Sequence, residues 1–204
     1  MMQDMGNYTL DADEIVRKSY GIVGRYVEGR TPEERIVQRC IIATGDPEVR
    51  NLIAFRNNVV EEGIRAVRDG VDVVVDVKMV AAGLNRRRFR GEVLVAVEHA
   101  SSSRMTRAAS GMYELADRID GGMAIIGNAP SAALALADLI KRGVRPRVVI
   151  ATPVGFVNAA ESKEVIRSLD VPSITSVGTR GGSTWAVAIF NGLVHLAYED
   201  QRSD

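Results

Sequence analysis

The apolar positions of this chain follow two rhythms. Before Gly70 they recur every three or four residues, the period of helices that bury one face. Residues 12–25 present Ile15, Val16, Tyr20 and Val23 on one such face. Thr31 opens a second helix, with Pro32 at the first helical position and Glu34 three residues after the cap, a capping-box pattern. Ile36, Val37, Cys40 and Ile41 form its stripe, Ile42 stands at its end, and Asp46-Pro47-Glu48 is a cap for the next helix. Residues 59–68 are helical and stop at Gly70.

Beyond Gly70 the rhythm changes to an alternation of short β-branched runs and helical stretches. VDVVVDV, GEVLVAVEH, GMAIIGN, RPRVVIAT and VPSITSVG are predicted strands. SRMTRAASGMYELADRI, SAALALADLIKRG, NAAESKEVIRSL and GGSTWAVAIFNGLVHLAYED are predicted helices. Helices of that length between strands imply right-handed βαβ units. The expected fold is α/β: a Rossmann-like open sheet of about five mainly parallel strands with helices on both faces. No repeat, low-complexity segment or linker interrupts 1–204, so one domain is expected.

Composition narrows the function. Lys plus Arg and Asp plus Glu both total 26, which gives no global case for nucleic acid or an anionic membrane. The basic run Asn85-Arg86-Arg87-Arg88-Phe89-Arg90 is too short and isolated to change that. No apolar run approaches the ~20 residues of a membrane helix. The N-terminus has no basic segment followed by an apolar stretch. A single cysteine, Cys40, permits no intrachain disulfide and suits a reducing compartment, so a cytoplasmic location is expected. With two histidines, His99 and His195, a Cys/His zinc site is not expected.

In an open α/β sheet ligands bind beyond the carboxyl ends of the strands. Here those ends run into loops of small and polar residues: DVKMVAAGLNRRR, EHASSSRMTR, GNAPSA, TPVGFVNAAESK and GTRGGS. Arg107, Lys163 and Arg180 lie at or just after strand ends, an arrangement that fits an anionic ligand. Nucleotide fingerprints are missing: GNAPSA is not G-x-G-x-x-G, and no G-x-x-x-x-G-K-[ST] occurs.

Seven collinear segments are more specific. They are DADEIVRKSY (11–20), ERIVQRCIIATGD (34–46), DVKMVAAGL (76–84), SRMTRAA (103–109), IIGNAPSAAL (125–134), PVGFVNAAESK (153–163) and GTRGGSTWAVA (178–188). Together they resemble the precorrin-8X methylmutase family of cobalamin biosynthesis. The resemblance implies a Rossmann-type homodimer that binds a polycarboxylate tetrapyrrole. It implies an isomerase moving a methyl group from C-11 to C-12 of ring C, without metal or organic cofactor for the shift itself. It also implies substrate-binding positions: Ser19, Arg39, Ile42 and Thr44 in the first two segments, then Asp76, Asn85, Arg107, Asn128 and Arg180.

One position departs sharply from the family pattern, while Ala43, in place of a hydroxyl residue, and Asn85, in place of a threonine or similar polar residue, depart more mildly. Alignment on Arg39, Thr44, Gly45 and Asp46 puts Ile42 where the family carries its proton-donating histidine. Isoleucine can neither transfer a proton nor hydrogen-bond. A catalytically impaired or non-catalytic tetrapyrrole-binding homologue is therefore the alternative, and a phosphate-ligand enzyme on the same fold a third reading. His99, at the end of a predicted strand, is the candidate substitute donor; its bland reading is an exposed loop histidine. Arg39, Asn128 and Arg180 could equally be a helix charge, a turn residue and a loop residue. Glu161 and Lys163 could be site charges or first-turn helix residues. Cys40 falls on the apolar stripe and reads as core.

Overall fold

The computed structural model describes residues 9–199. The chain opens with α1 (Leu10–Val23), whose first turn is capped by Thr9, and α2 (Pro32–Thr44). The predicted capping box forms: Thr31 Oγ1 accepts from the Glu34 N–H at 3.2 Å. The Glu34 carboxylate reaches back to the Arg30 N–H at 2.7 Å, one residue earlier than a box requires. Gly45, at φ 69°, ends α2 in the left-handed conformation that glycine adopts without cost. Asp46 caps the next segment, as expected, but Pro47–Asn51 is a single 3-10 turn and not a helix.

Then come β1 (Ile53–Arg56), α3 (Val59–Asp69), β2 (Val73–Val75) and α4 (Lys78–Gly83). β3 (Val93–Val95) is much shorter than GEVLVAVEH, because Ala96–Glu98 tightens into a 3-10 turn. The helix expected at 103–119 starts only at Arg107, capped by Thr106. It breaks at Leu115 into α5 (Arg107–Glu114) and α6 (Ala116–Ile119). β4 (Met123–Ile126), α7 (Pro130–Lys141), β5 (Val148–Ala151), α8 (Ala159–Ser168), β6 (Ser173–Ser176) and α9 (Ser183–Ala197) complete the chain.

Among the described residues six strands form one open sheet, in the order β1-β6-β5-β4-β2-β3. Five are parallel, as expected; the sixth, β1, pairs antiparallel with β6, Ile53 opposite Ser176. β1 escaped prediction because four residues, IAFR, carry no alternation long enough to read.

Side chains alternate across the sheet with the period of two that strands impose. Val73, Val75, Ile125, Ile150 and Ile174 join the core beneath α2, α3 and α9. Val74, Ala124, Ile126, Val149 and Ala151 join a second core beneath α5, α7 and α8. Both faces are therefore covered, which explains why the strands read as unbroken apolar runs. α1 is not on the sheet. It packs over α2, and of its expected apolar face Val23 is buried while Ile15 lies exposed.

Candidate functional site

The carboxyl ends of the five parallel strands share one edge, and the loops there are tied down from beneath. Asp76, fully buried just after β2, accepts the backbone N–H groups of Gly127, Asn128 and Ala129 at 3.1, 2.8 and 2.7 Å. Burial pushes its carboxyl up from the usual range, against the pull of those N–H donors and that of Val77. Asp76 thus holds the GNAP turn, and what it leaves exposed there is the Asn128 side chain.

Across the sheet, the loop after β6 folds onto β5. The Gly182 N–H donates to the Thr152 carbonyl at 2.7 Å, and Gly155 donates to Thr179 at 3.1 Å. A Cβ on Gly181 would stand 2.3 Å from the Thr152 carbonyl oxygen, so only glycine allows this approach. Lys163, in the first turns of α8, is completely buried under the loop. Its Nζ donates to Ser176 Oγ and to the Arg180 carbonyl, each at 2.9 Å. Burial, with Arg167 one turn away, pulls its ammonium down to about 8.

Arg180 reaches out of this loop to pair with Asp46 at the end of α2. That contact joins the strand edge to a cleft of about 290 Å3 between two helices. Ser19, Ile22, Val23 and Tyr26 form its α1 wall; Ile41, Ile42, Gly45 and Pro47 form its α2 wall. Ile42 lines this cleft beside the Thr44-Gly45-Asp46 turn. Thr44 spends its hydroxyl on the turn itself, donating to the Cys40 carbonyl at 2.9 Å. The Ser19 hydroxyl donates to the Ile15 carbonyl at 2.9 Å.

The remaining expected positions fall elsewhere. Arg39 is buried between α1 and α9: it stands beside Tyr20, whose phenol burial pushes up to about 12, and its Cδ is close to Gly192. Asn85 is bound to the middle of α9, its N–H donating to Asn191 Oδ1 at 2.8 Å, away from the strand ends. Arg107 is exposed at the start of α5 and donates to the Val97 carbonyl at 2.6 Å. His99 is exposed beyond β3, four strand spacings from β6, roughly 19 Å at the usual separation. Cys40 is core, with burial pushing its thiol up to about 12. Among the described residues no three His, Cys, Asp or Glu side chains gather as a metal site.

Sequence reasoning missed the apolar character of this edge. Eleven large hydrophobic side chains among the described residues are exposed, and ten of them lie on α1 or its C-terminal extension or in and around the strand-end loops; Leu134 is the exception. Phe156, at 93 %, stands between Gly155 and Asn158, both at positive φ. The repeated apolar letters of PVGFV were the available signal.

An open α/β sheet with an edge both apolar and arginine-bearing is suited to a large, amphipathic, anionic ligand. Comparison with known proteins gives that arrangement a family. The family model for precorrin-8X methylmutase matches residues 14–196. The chain is 45% identical, over 95% of its length, to a cobalamin biosynthesis protein of Archaeoglobus fulgidus, of which it spans 42%. It is 36% identical to the cobalt-precorrin-8 methylmutase of Methanocaldococcus jannaschii, covering 97% of this chain and 100% of that protein. The crystal structure of precorrin-8X methyl mutase from Thermus thermophilus superposes with a TM-score of 0.85 at 36% identity, covering 91% of this chain and 98% of that one. The chain belongs to the precorrin-8X methylmutase family.

Proposed function

We propose that the chain binds precorrin-8X or its cobalt counterpart and moves the methyl group from C-11 to C-12. Family membership over residues 14–196 carries this reading. The edge supports it: exposed apolar side chains suit the face of a macrocycle, and Arg107 and Arg180 suit its carboxylates. The shift is intramolecular. The C-11–methyl bond breaks as the C-12–methyl bond forms, so the protein's task is to hold one tautomer and favour its protonation near ring C.

Ile42 lines the cleft where a donor is wanted and offers none. The polar side chains on the same cleft are Ser19 and Tyr26. On this reading the chain works mainly by binding and orientation, and a general acid would add to its rate. The placement of Ile42 is the one observation behind the second reading, a homologue that binds the tetrapyrrole without turning it over; the names of the relatives favour the first.

The cleft is at the small end of the usual 300–1,000 Å3 for small-molecule sites. A corrin precursor with its carboxylate arms exceeds it and must extend over the strand edge. That mismatch supports a homodimer in which a second copy completes the enclosure, with the exposed Leu10, Ile15 and Ile22 of α1 as a surface to cover. We read residues 1–204 as one domain acting in the cytoplasm; no helix among the described residues is long and apolar enough to cross a membrane.

Two measurements test the proposal. Titration with hydrogenobyrinic acid should give a saturable change in its visible spectrum, and precorrin-8X should be converted to that product. Binding without turnover selects the second reading; saturable binding of a nucleotide but not of hydrogenobyrinic acid sinks both.

A further inference from the structure

Lys163 is the largest fully buried side chain that carries a charge, and nothing in the proposed chemistry uses it. A buried ammonium is costly unless it is well bonded. Here both acceptors, Ser176 Oγ and the Arg180 carbonyl, are uncharged. The same helix already gives the core an apolar anchor in Ile166, which is fully buried. The Nζ is also enclosed, so it is no nucleophile or base for a ligand at the edge.

What the ammonium does hold is a backbone carbonyl. The Arg180 oxygen receives two donors, Lys163 Nζ and the Ser176 hydroxyl, the latter at 2.8 Å. The residues around it are fixed as well: Thr179 accepts from Gly155, Gly182 donates to Thr152, and the Thr152 hydroxyl donates back to the Gly182 carbonyl at 3.1 Å. It is Lys163 that ties α8 to this loop's Arg180. With its backbone held, Arg180 directs its guanidinium to Asp46, which caps the turn after Gly45 through the Glu48 N–H at 2.9 Å. A line of direct contacts therefore runs from α8, through the loop at 177–182, to the wall of the cleft that contains Ile42.

We propose that Lys163 is a positioning residue: its buried ammonium pins the Arg180 carbonyl and so sets where the Arg180 guanidinium meets a tetrapyrrole carboxylate and the α2 end of the cleft. The inference rests on the tetrapyrrole reading for the role of Arg180, but the pinning itself can be measured without any ligand.

The test uses Lys163→Met, close in volume and without a donor. Amide hydrogen exchange on the unliganded protein reads the pinning. Gly155 and Gly182 should lose about tenfold in protection, the worth of one hydrogen bond, while amides of β4 keep theirs. Hydrogenobyrinic acid titration and precorrin-8X turnover read the consequence. Lys163→Met should raise both Kd and KM about tenfold and leave kcat nearly unchanged. A variant that merely folds less well would instead lose kcat at constant KM, because fewer molecules would be active. Lys163→Met combined with Arg180→Ala should bind no more weakly than Arg180→Ala alone, since both act through one guanidinium.

Unchanged exchange at Gly155 and Gly182, or effects that add in the double variant, would overturn the proposal. If wild type binds no hydrogenobyrinic acid, the tetrapyrrole reading fails while the exchange result still judges the pinning. Should Lys163→Met not fold, Ser176→Ala removes one of the two donors to the Arg180 carbonyl and should give the same local loss in smaller measure; normal protection in that variant counts against the proposal.

Discussion

The two ends of the sheet use their charges differently. At the amino end arginines meet carboxylates of the same chain: Arg118 pairs with Asp72 and Glu92, Arg147 with Glu62 and Asp69, and Arg35 with Glu199. These pairs close the fold on itself. At the carboxyl end Arg180 and Lys78 also meet carboxylates, Asp46 and Glu98, but Arg107 and Lys163 are bonded to uncharged oxygens, and large apolar side chains stand in water. An end that satisfies its own charges is built for stability. One that leaves an exposed cation on a carbonyl beside exposed Phe156 is built to be completed from outside.

That contrast can be sharpened by four changes. The largest effect is expected at the cleft. Ile42→His places an imidazole on the cleft wall, and if position 42 is the donor position that the resemblance implies, turnover of precorrin-8X should rise by up to ~10²–10⁴-fold. Activity left at background in a clearly destabilised variant would make Ile42 ordinary core and the alignment at that position wrong.

Next is the pH dependence set by Lys163. Its ammonium titrates near 8 in the folded chain and at 10.5 when unperturbed. Below 8 both states carry the charge, and the folded state bears its burial. Between 8 and 10.5 the unfolded chain holds the extra proton, so stability must rise with pH across that window and be fully gained above it. The gain should be roughly 3 kcal/mol at most, read as the difference in urea unfolding between wild type and Lys163→Met. Parallel pH profiles would show that the ammonium is not strained by burial.

Arg107→Ala should weaken hydrogenobyrinic acid binding by about 1.5–3 kcal/mol, the worth of a charge-assisted bond, with little change in folding. Unaltered affinity removes Arg107 from the site. The smallest effect is expected at the other end: Arg118→Ala should change the urea midpoint little, as loss of an exposed pair does, and leave ligand affinity untouched. If it instead weakened binding, the division of labour between the two ends would be wrong.

The sequence carried the elements whose signal is local. The Thr31–Glu34 cap, the Gly70 stop and the buried valines of β2 read correctly because propensity and burial agree there. β1 and α4 did not, since four and six residues give no period to count. At the site, Arg107, Asn128, Arg180 and Ile42 do lie at the strand edge or its adjoining cleft. Asp76 and Arg39 carry the same kinds of polar group but face inward, because burial is decided by partners distant in sequence. Lys163 illustrates the limit most sharply: a lysine in the first turns of a helix looks solvated until a loop from elsewhere in the chain closes over it.

The antiparallel strand β1 has a consequence for how the protein comes into being. It brings residues 53–56 against β6 at residues 173–176, and the Arg180–Asp46 pair spans nearly the same interval. Closing so long a loop is entropically costly and is rewarded only once both ends exist. During synthesis the helical hairpin of α1 and α2 can form early, yet its cleft lacks a wall tie until the β6 loop has left the ribosome. The cleft and the strand edge are therefore joined only once nearly all of the chain has been made.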